Sequence, residues 1–149
     1  MNFHIDKHMS RLVRTAKRLE GSDNITSSNF DSYSDAFIEF CLHSYRMKDL
    51  LIGTRFCERK RVERYVSRSK YLSQCANASN LYKHFSLNRE QRKPDLPIFA
   101  EGLVPIGKFW NPFKKRNELK FLNGHKSILC SDFAIKCIEE WNQFLIDEK

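Results

Sequence analysis

The sequence predicts a mainly α-helical bundle of four to five helices with a small β-hairpin near the C-terminal helix. Three observations carry this expectation. Apolar residues recur at helical spacing in successive segments, and Gly, Pro or polar runs separate those segments. Asn123-Gly124 falls between two short apolar-rich runs, the favoured pairing for a type I′ hairpin turn. The 149 residues are 41% hydrophobic with 12 Phe, 5 Tyr and 2 Trp, which suits one sizeable core and hence a single domain spanning 1–149.

Residues Asn2 to Glu20 read as the first helix. Ile5, Met9, Leu12, Val13, Ala16 and Leu19 share one face, Lys and Arg fill the rest, and Gly21 stops it. The polar SDNITSSN that follows suits a surface loop between packed helices. A second helix should begin near Asp31 or Ser32, capped by one of them, and run to about Ile52 before Gly53. Its stripe Tyr33, Phe37, Phe40, Ser44, Met47 and Leu51, widened by Ala36, Cys41 and Leu50, marks it as the central core helix. Arg55 to Val66 reads as a short basic third helix, and Ser67 or Ser69 as the cap of a fourth. On that fourth helix Asn77, Asn80 and His84 stand at i, i+3 and i+7 beside an apolar stripe of Leu72, Cys75, Ala76, Ser79 and Tyr82. Pro94 and Pro97 then open a less regular region that runs to Asn117. After the hairpin, Ser131-Asp132 is expected to cap a last helix bearing Ala134, Cys137, Ile138, Trp141, Phe144 and Leu145.

A net charge of +8 points to a polyanionic partner, because clustered cations gain affinity by releasing condensed counterions. Nine basic residues stand against three acidic ones between Arg46 and Lys70. Within that stretch Lys48, Arg59, Lys60, Arg61 and Arg64 are the expected nucleic-acid contacts. Lys108, Lys114, Lys115, Arg116 and Lys120, interleaved with Phe109, Trp110 and Phe113, form a second cluster suited to phosphate contact and base stacking. The five cysteines are odd in number and lack CxxC spacing, so neither a disulfide framework nor a zinc site is indicated, and most should be buried thiols. No apolar run approaches bilayer length, and the first residues lack a signal-type segment, so a cytosolic protein is expected. No Gly-rich phosphate loop, HExxH or GxSxG motif occurs, and no cofactor is expected.

Two segments, YRMKDLLI from Tyr45 to Ile52, and VERYV followed by LSQCANASNLYKHFSL, together resemble a group of short bacterial and phage-associated proteins. That group carries an aromatic-His-Leu/Met-Lys-Asp segment on one helix and a Cys-Ala-Asp-x-x-Asn-x-x-Lys-His-x-x-Leu segment on another. It also has a late hairpin and a last helix ending in Trp-x-x-Phe-Leu, here Trp141 to Leu145. It is similar to the HEPN class of helical bundles, whose active members are metal-independent ribonucleases of toxin and defence systems, often dimeric. The resemblance implies Asn80, Lys83 and His84 as matching site residues. Arg46 stands where the group has His, Asn77 where it has Asp, and the Arg that classical members place four to six residues before the His is absent.

Metal-independent RNA cleavage needs a proton-transfer group near the 2′-hydroxyl and cations on the scissile phosphate. His84 fits the first role, Lys83 and Arg46 the second, and Asn80 could orient the imidazole or the phosphate. The implied partners are RNA or another nucleic acid, an antitoxin or defence protein, and a second copy in a homodimer. The alternative is a non-catalytic HEPN-like module that binds nucleic acid or protein through the same basic face; a third reading places the His84 helix at a dimer seam.

Overall fold

The computed structural model describes residues 2–26, 28–76, 79, 98–100, 119–123 and 126–148. Its elements are α1 (Phe3–Lys17), α2 (Phe30–Gly53), α3 (Arg59–Arg68), a helical stretch at 72–76, β1 (Ile98–Ala100), β2 (Leu119–Asn123), β3 (Lys126–Leu129) and α4 (Cys130–Asp147). The protein is thus mainly helical, with a small antiparallel sheet that feeds directly into the last helix. Among the described residues no helix is long and apolar enough to cross a membrane.

The Asn2 side chain accepts a hydrogen bond from the His4 amide at 2.9 Å and starts α1, satisfying one of the amides a helix N-terminus leaves unpaired. The helix stops at Lys17, three residues short of the expected end, and the chain continues in turns. Leu19 stays buried nonetheless, and Gly21 takes the left-handed backbone (φ 86°) that turns the chain away. Val13, expected on the core face, is 39% exposed.

The second helix opens at Phe30 after Asn29, so neither Asp31 nor Ser32 is its cap. Asn29 instead braces the preceding loop, accepting from the Thr26 amide and donating to the Asn24 carbonyl. The core stripe Phe37, Phe40, Ser44, Met47 and Leu51 is fully buried as expected, with Tyr33 half-buried at its start. Gly53 lies inside α2 rather than beyond it. Two residues later Arg55 adopts φ 56°, while the Phe56 amide donates to the Leu51 carbonyl and the Arg55 amide to Ile52. This is a Schellman termination with arginine where glycine is usual, so no glycine signal marks it in the sequence.

The loop after α2 delays α3 to Arg59, four residues beyond the expected start. Of the two candidate serine caps, Ser69 acts: its hydroxyl accepts from the Leu72 amide at 2.9 Å and donates to the Glu140 carboxylate of α4. Leu72, Cys75 and Ser79 are buried, as the apolar stripe requires.

The hairpin forms, but its register differs from the expected one. Asn123 pairs with Lys126, so Asn123 belongs to β2 and the connection falls at 124–125. β1, inside the region expected to be irregular, pairs antiparallel with β2 and makes the sheet three-stranded, in the order β1-β2-β3. The amide of buried Leu119 bonds to the Ser22 carbonyl at 2.8 Å, tying the sheet to the loop after α1. Finally α4 begins at Cys130 with no side-chain cap, so Ser131 and Asp132 sit in its first turn rather than before it.

The core lies where α2 and α4 meet. Phe37 packs edge-on against Phe133, and Trp141 against Phe144. The Trp141 indole Nε1–H donates to Ser44 Oγ at 3.0 Å, and both residues are buried. Contacts join α1 to α2 and α4, and α3 to α2 and α4.

Candidate functional site

Val62 and Val66 anchor α3 in the core and Tyr65 lies half-buried beside them. At 3.6 residues per turn, Lys60, Arg61, Arg64 and Arg68 then fall within about 100° of circumference on the outward side. Lys60, Arg64 and Arg68 follow each other at i, i+4 and i+8, a cationic ridge about 12 Å long at the helical rise. All three are exposed and make no ion pair among the described residues.

The ridge borders an open groove of about 620 Å³ between α3 and the C-terminal end of α4. Tyr65 and Phe144, 4.8 Å apart between ring centroids, supply its aromatic surface, and the Tyr65 hydroxyl donates to the Glu140 carbonyl at 2.8 Å. Glu58, Asp147 and Glu148 also line it. Arg61 Nε donates to Glu148 Oε1 at 2.5 Å, so one of the groove's cations already holds a carboxylate.

The residues expected to touch nucleic acid therefore divide. Lys60, Arg61 and Arg64 share the groove. Arg59 points to the other flank and pairs with Glu63 at 3.6 Å. Lys48 folds back on its own helix, donating to Tyr45 Oη at 3.2 Å and lying 4.6 Å over that ring. Arg68, absent from the expected set, completes the ridge; its place four residues after Arg64 was the signal for it. Asn80, Lys83 and His84, with Lys108, Lys114, Lys115 and Arg116, lie outside the described residues.

Arg46 is exposed, and its charge acts on His8 of α1 across the α1–α2 seam. That seam holds a histidine pair not singled out in the sequence. His8 Nε2–H donates to the His43 carbonyl at 2.7 Å, and the two rings meet edge-on at 5.9 Å. Burial pushes the His8 imidazole down, its bond to the His43 carbonyl pulls the other way, and Arg11 and Arg46 lower it further. Burial likewise lowers His43, whose Nε2 lies 3.5 Å from Glu39; Glu39 is in turn held low, first by its bond from Arg18. His43 Nδ1 is buried with no hydrogen-bond partner among the described residues. The sequence did carry a signal, since His8 sits three residues after Ile5 and four before Leu12 on the buried face of α1.

Cys41, Cys75, Cys130 and Cys137 are buried and free, with Cys75 and Cys137 sulfurs 3.6 Å apart. Burial pushes Cys41, Cys130 and Cys137 well up, which keeps those thiols protonated. Among the described residues no group of three His, Cys, Asp or Glu side chains is placed to hold a metal ion. Set against family models, curated proteins and solved structures, the chain matches none, so the class of protein rests on its own fold and surface: a helical bundle with a cationic ridge along an aromatic-floored groove.

Proposed function

We propose that this protein is a HEPN-like nucleic-acid-binding bundle that contacts the phosphate backbone through the outer face of α3. The observation that carries the reading is the ridge of Lys60, Arg64 and Arg68, unpaired among the described residues and bordering a groove whose Tyr65 and Phe144 offer aromatic surface. Phosphate contact is favoured by cations without carboxylate partners, because no ion pair need be broken to recruit them. The test is fluorescence anisotropy with a labelled single-stranded oligonucleotide across a salt series. Replacing Lys60, Arg64 and Arg68 together by Ala should weaken binding and flatten the slope of log K against log salt by about 2, near 0.7 for each lost single-strand phosphate contact. Unchanged affinity and slope would reduce the ridge to a solubilising surface.

The segment bearing Asn80, Lys83 and His84 supports a second reading, metal-independent RNA cleavage with His84 as the proton-transfer group and Arg46 as a phosphate contact. Incubation with structured RNA in EDTA tests it: cleavage should occur and should vanish in His84→Ala at unchanged melting temperature. Absence of cleavage by the wild-type protein would leave the non-catalytic binding module. A homodimer, or an antitoxin-type partner, belongs to the same proposal. Its support is that, among the described residues, the exposed large apolar side chains Phe3, Val13, Ile135 and Ile146 lie on α1 and α4. Light scattering at micromolar concentration checks the dimer. The free cysteines favour a reducing compartment such as the cytosol.

A further inference from the structure

We propose that Arg61 is a phosphate site kept closed by Glu148, so that the last turn of α4 competes with a bound polyanion for the α3 groove. This rests on the reading of α3 as a phosphate-binding face and adds a regulatory element to it.

The pair is asymmetric. The Glu148 side chain is only 9% exposed, whereas Arg61 is 64% exposed and engages the carboxylate through Nε. A carboxylate on a guanidinium occupies the place a phosphate oxygen would take, because both anions present oxygen acceptors that the guanidinium's donor fork engages. Glu148 is not alone there, since Asp147 and Glu58 line the same groove.

Local helix energetics make this arrangement notable. Asp147 and the C-cap Glu148 stand at the C-terminus of α4, with no basic residue in its last turn. The negative end of the helix macrodipole disfavours acids at that position. The conflict is offset from outside the helix, by Arg61 of α3. An acidic residue held against its local preference, and paired with a cation of a candidate binding face as Glu148 is, is what a displaceable internal anion requires.

The consequence is ordered binding. A polyanion first meets Lys60, Arg64 and Arg68, which hold no carboxylate among the described residues, and gains Arg61 only by displacing Glu148. The exchange swaps one ion pair for another, so its net effect is set by the modest worth of a part-exposed pair.

The experiment measures oligothymidylate affinity by anisotropy for the wild type, Glu148→Gln, Arg61→Ala and the double variant, with melting temperatures alongside. Glu148→Gln should tighten binding about twofold to fivefold, the range expected from removing one such competing pair. Its salt slope should steepen by about 0.7, one added single-strand phosphate contact. In the Arg61→Ala background the gain should disappear, and Glu63→Gln, an equal charge change on the other flank, should not reproduce it. Unchanged or weaker binding by Glu148→Gln, or a gain that persists without Arg61, overturns the proposal. A triple Lys60/Arg64/Arg68→Ala variant that binds like wild type would instead overturn the groove reading itself. Should Glu148→Gln fail to fold, the Nε–Hε resonance of Arg61 in the wild-type protein must shift as oligothymidylate is added; a stationary resonance refutes the exchange.

Discussion

Replacing Trp141 by Phe probes the junction that holds the bundle together. Trp141 is 1% exposed on α4, and its Nε1–H donates to Ser44 Oγ of α2 at 3.0 Å. The substitution removes the donor and strands a buried acceptor, a loss of about 1 to 2 kcal/mol. It also exchanges an indole for a smaller ring in a closely packed core, and the resulting void adds roughly 1 to 2 kcal/mol more. The sum, about 2 to 4 kcal/mol, corresponds to a fall in melting temperature of about 5 to 15 °C for a chain of this size. Guanidinium unfolding followed by far-UV circular dichroism reads it directly. Ser44→Ala should cost about 1 to 3 kcal/mol by stranding the indole N–H, and the double variant should cost less than the two singles added, by about 0.5 to 3 kcal/mol. Strict additivity, or a Trp141→Phe cost below about 1 kcal/mol, would refute the α2–α4 bond as a structural tie.

Stability should depend on pH through the α1–α2 seam. His8 and His43 are both held below the ordinary imidazole value of 6.5, chiefly by burial. Between that value and their folded values the unfolded chain binds more protons than the folded one, so stability falls as pH drops below about 6.5. The urea midpoint should therefore be lower at about pH 5.5 than at about pH 7.5, and His8→Gln should shrink the difference; equal midpoints in the wild type would count against it. Arg55→Gly should stabilise the protein by up to about 1 kcal/mol, because the residue ends α2 at φ 56°, a backbone glycine adopts without Cβ strain. A lowered melting temperature would mean that the Arg55 side chain contributes more than its backbone costs.

The helical periodicities of α1, α2 and α4 sufficed to name most of the buried residues: Phe37, Phe40, Met47, Leu51, Cys137, Trp141 and Phe144 are all inside. A helix repeats every 3.6 residues whatever it packs against, so a core stripe is local information. The same holds for the ridge on α3, where spacing alone puts Lys60 and Arg64 on one side. Element ends were less legible. Arg55 closes α2 in a conformation normally marked by glycine, and Asn123, the last residue of β2, pairs with Lys126 of β3 rather than turning the hairpin. β1 is three residues long, too short to show alternation, and exists only because β2 lies beside it. Charge pairing was decided in the same way. Composition counts Arg59, Arg61 and Arg64 alike, and helical spacing alone sets Arg59 beside Glu63, yet only the placement of α3 against the end of α4 gives Arg61 to Glu148 and leaves Arg64 facing the groove. The sequence by itself determined which faces are apolar and which are basic, because those follow from local geometry. That Arg61 meets Glu148, that Arg18 meets Glu39, and that His8 reaches the His43 carbonyl 35 positions away, only the tertiary structure decided, since such partners are chosen by how helices dock and not by spacing along the chain.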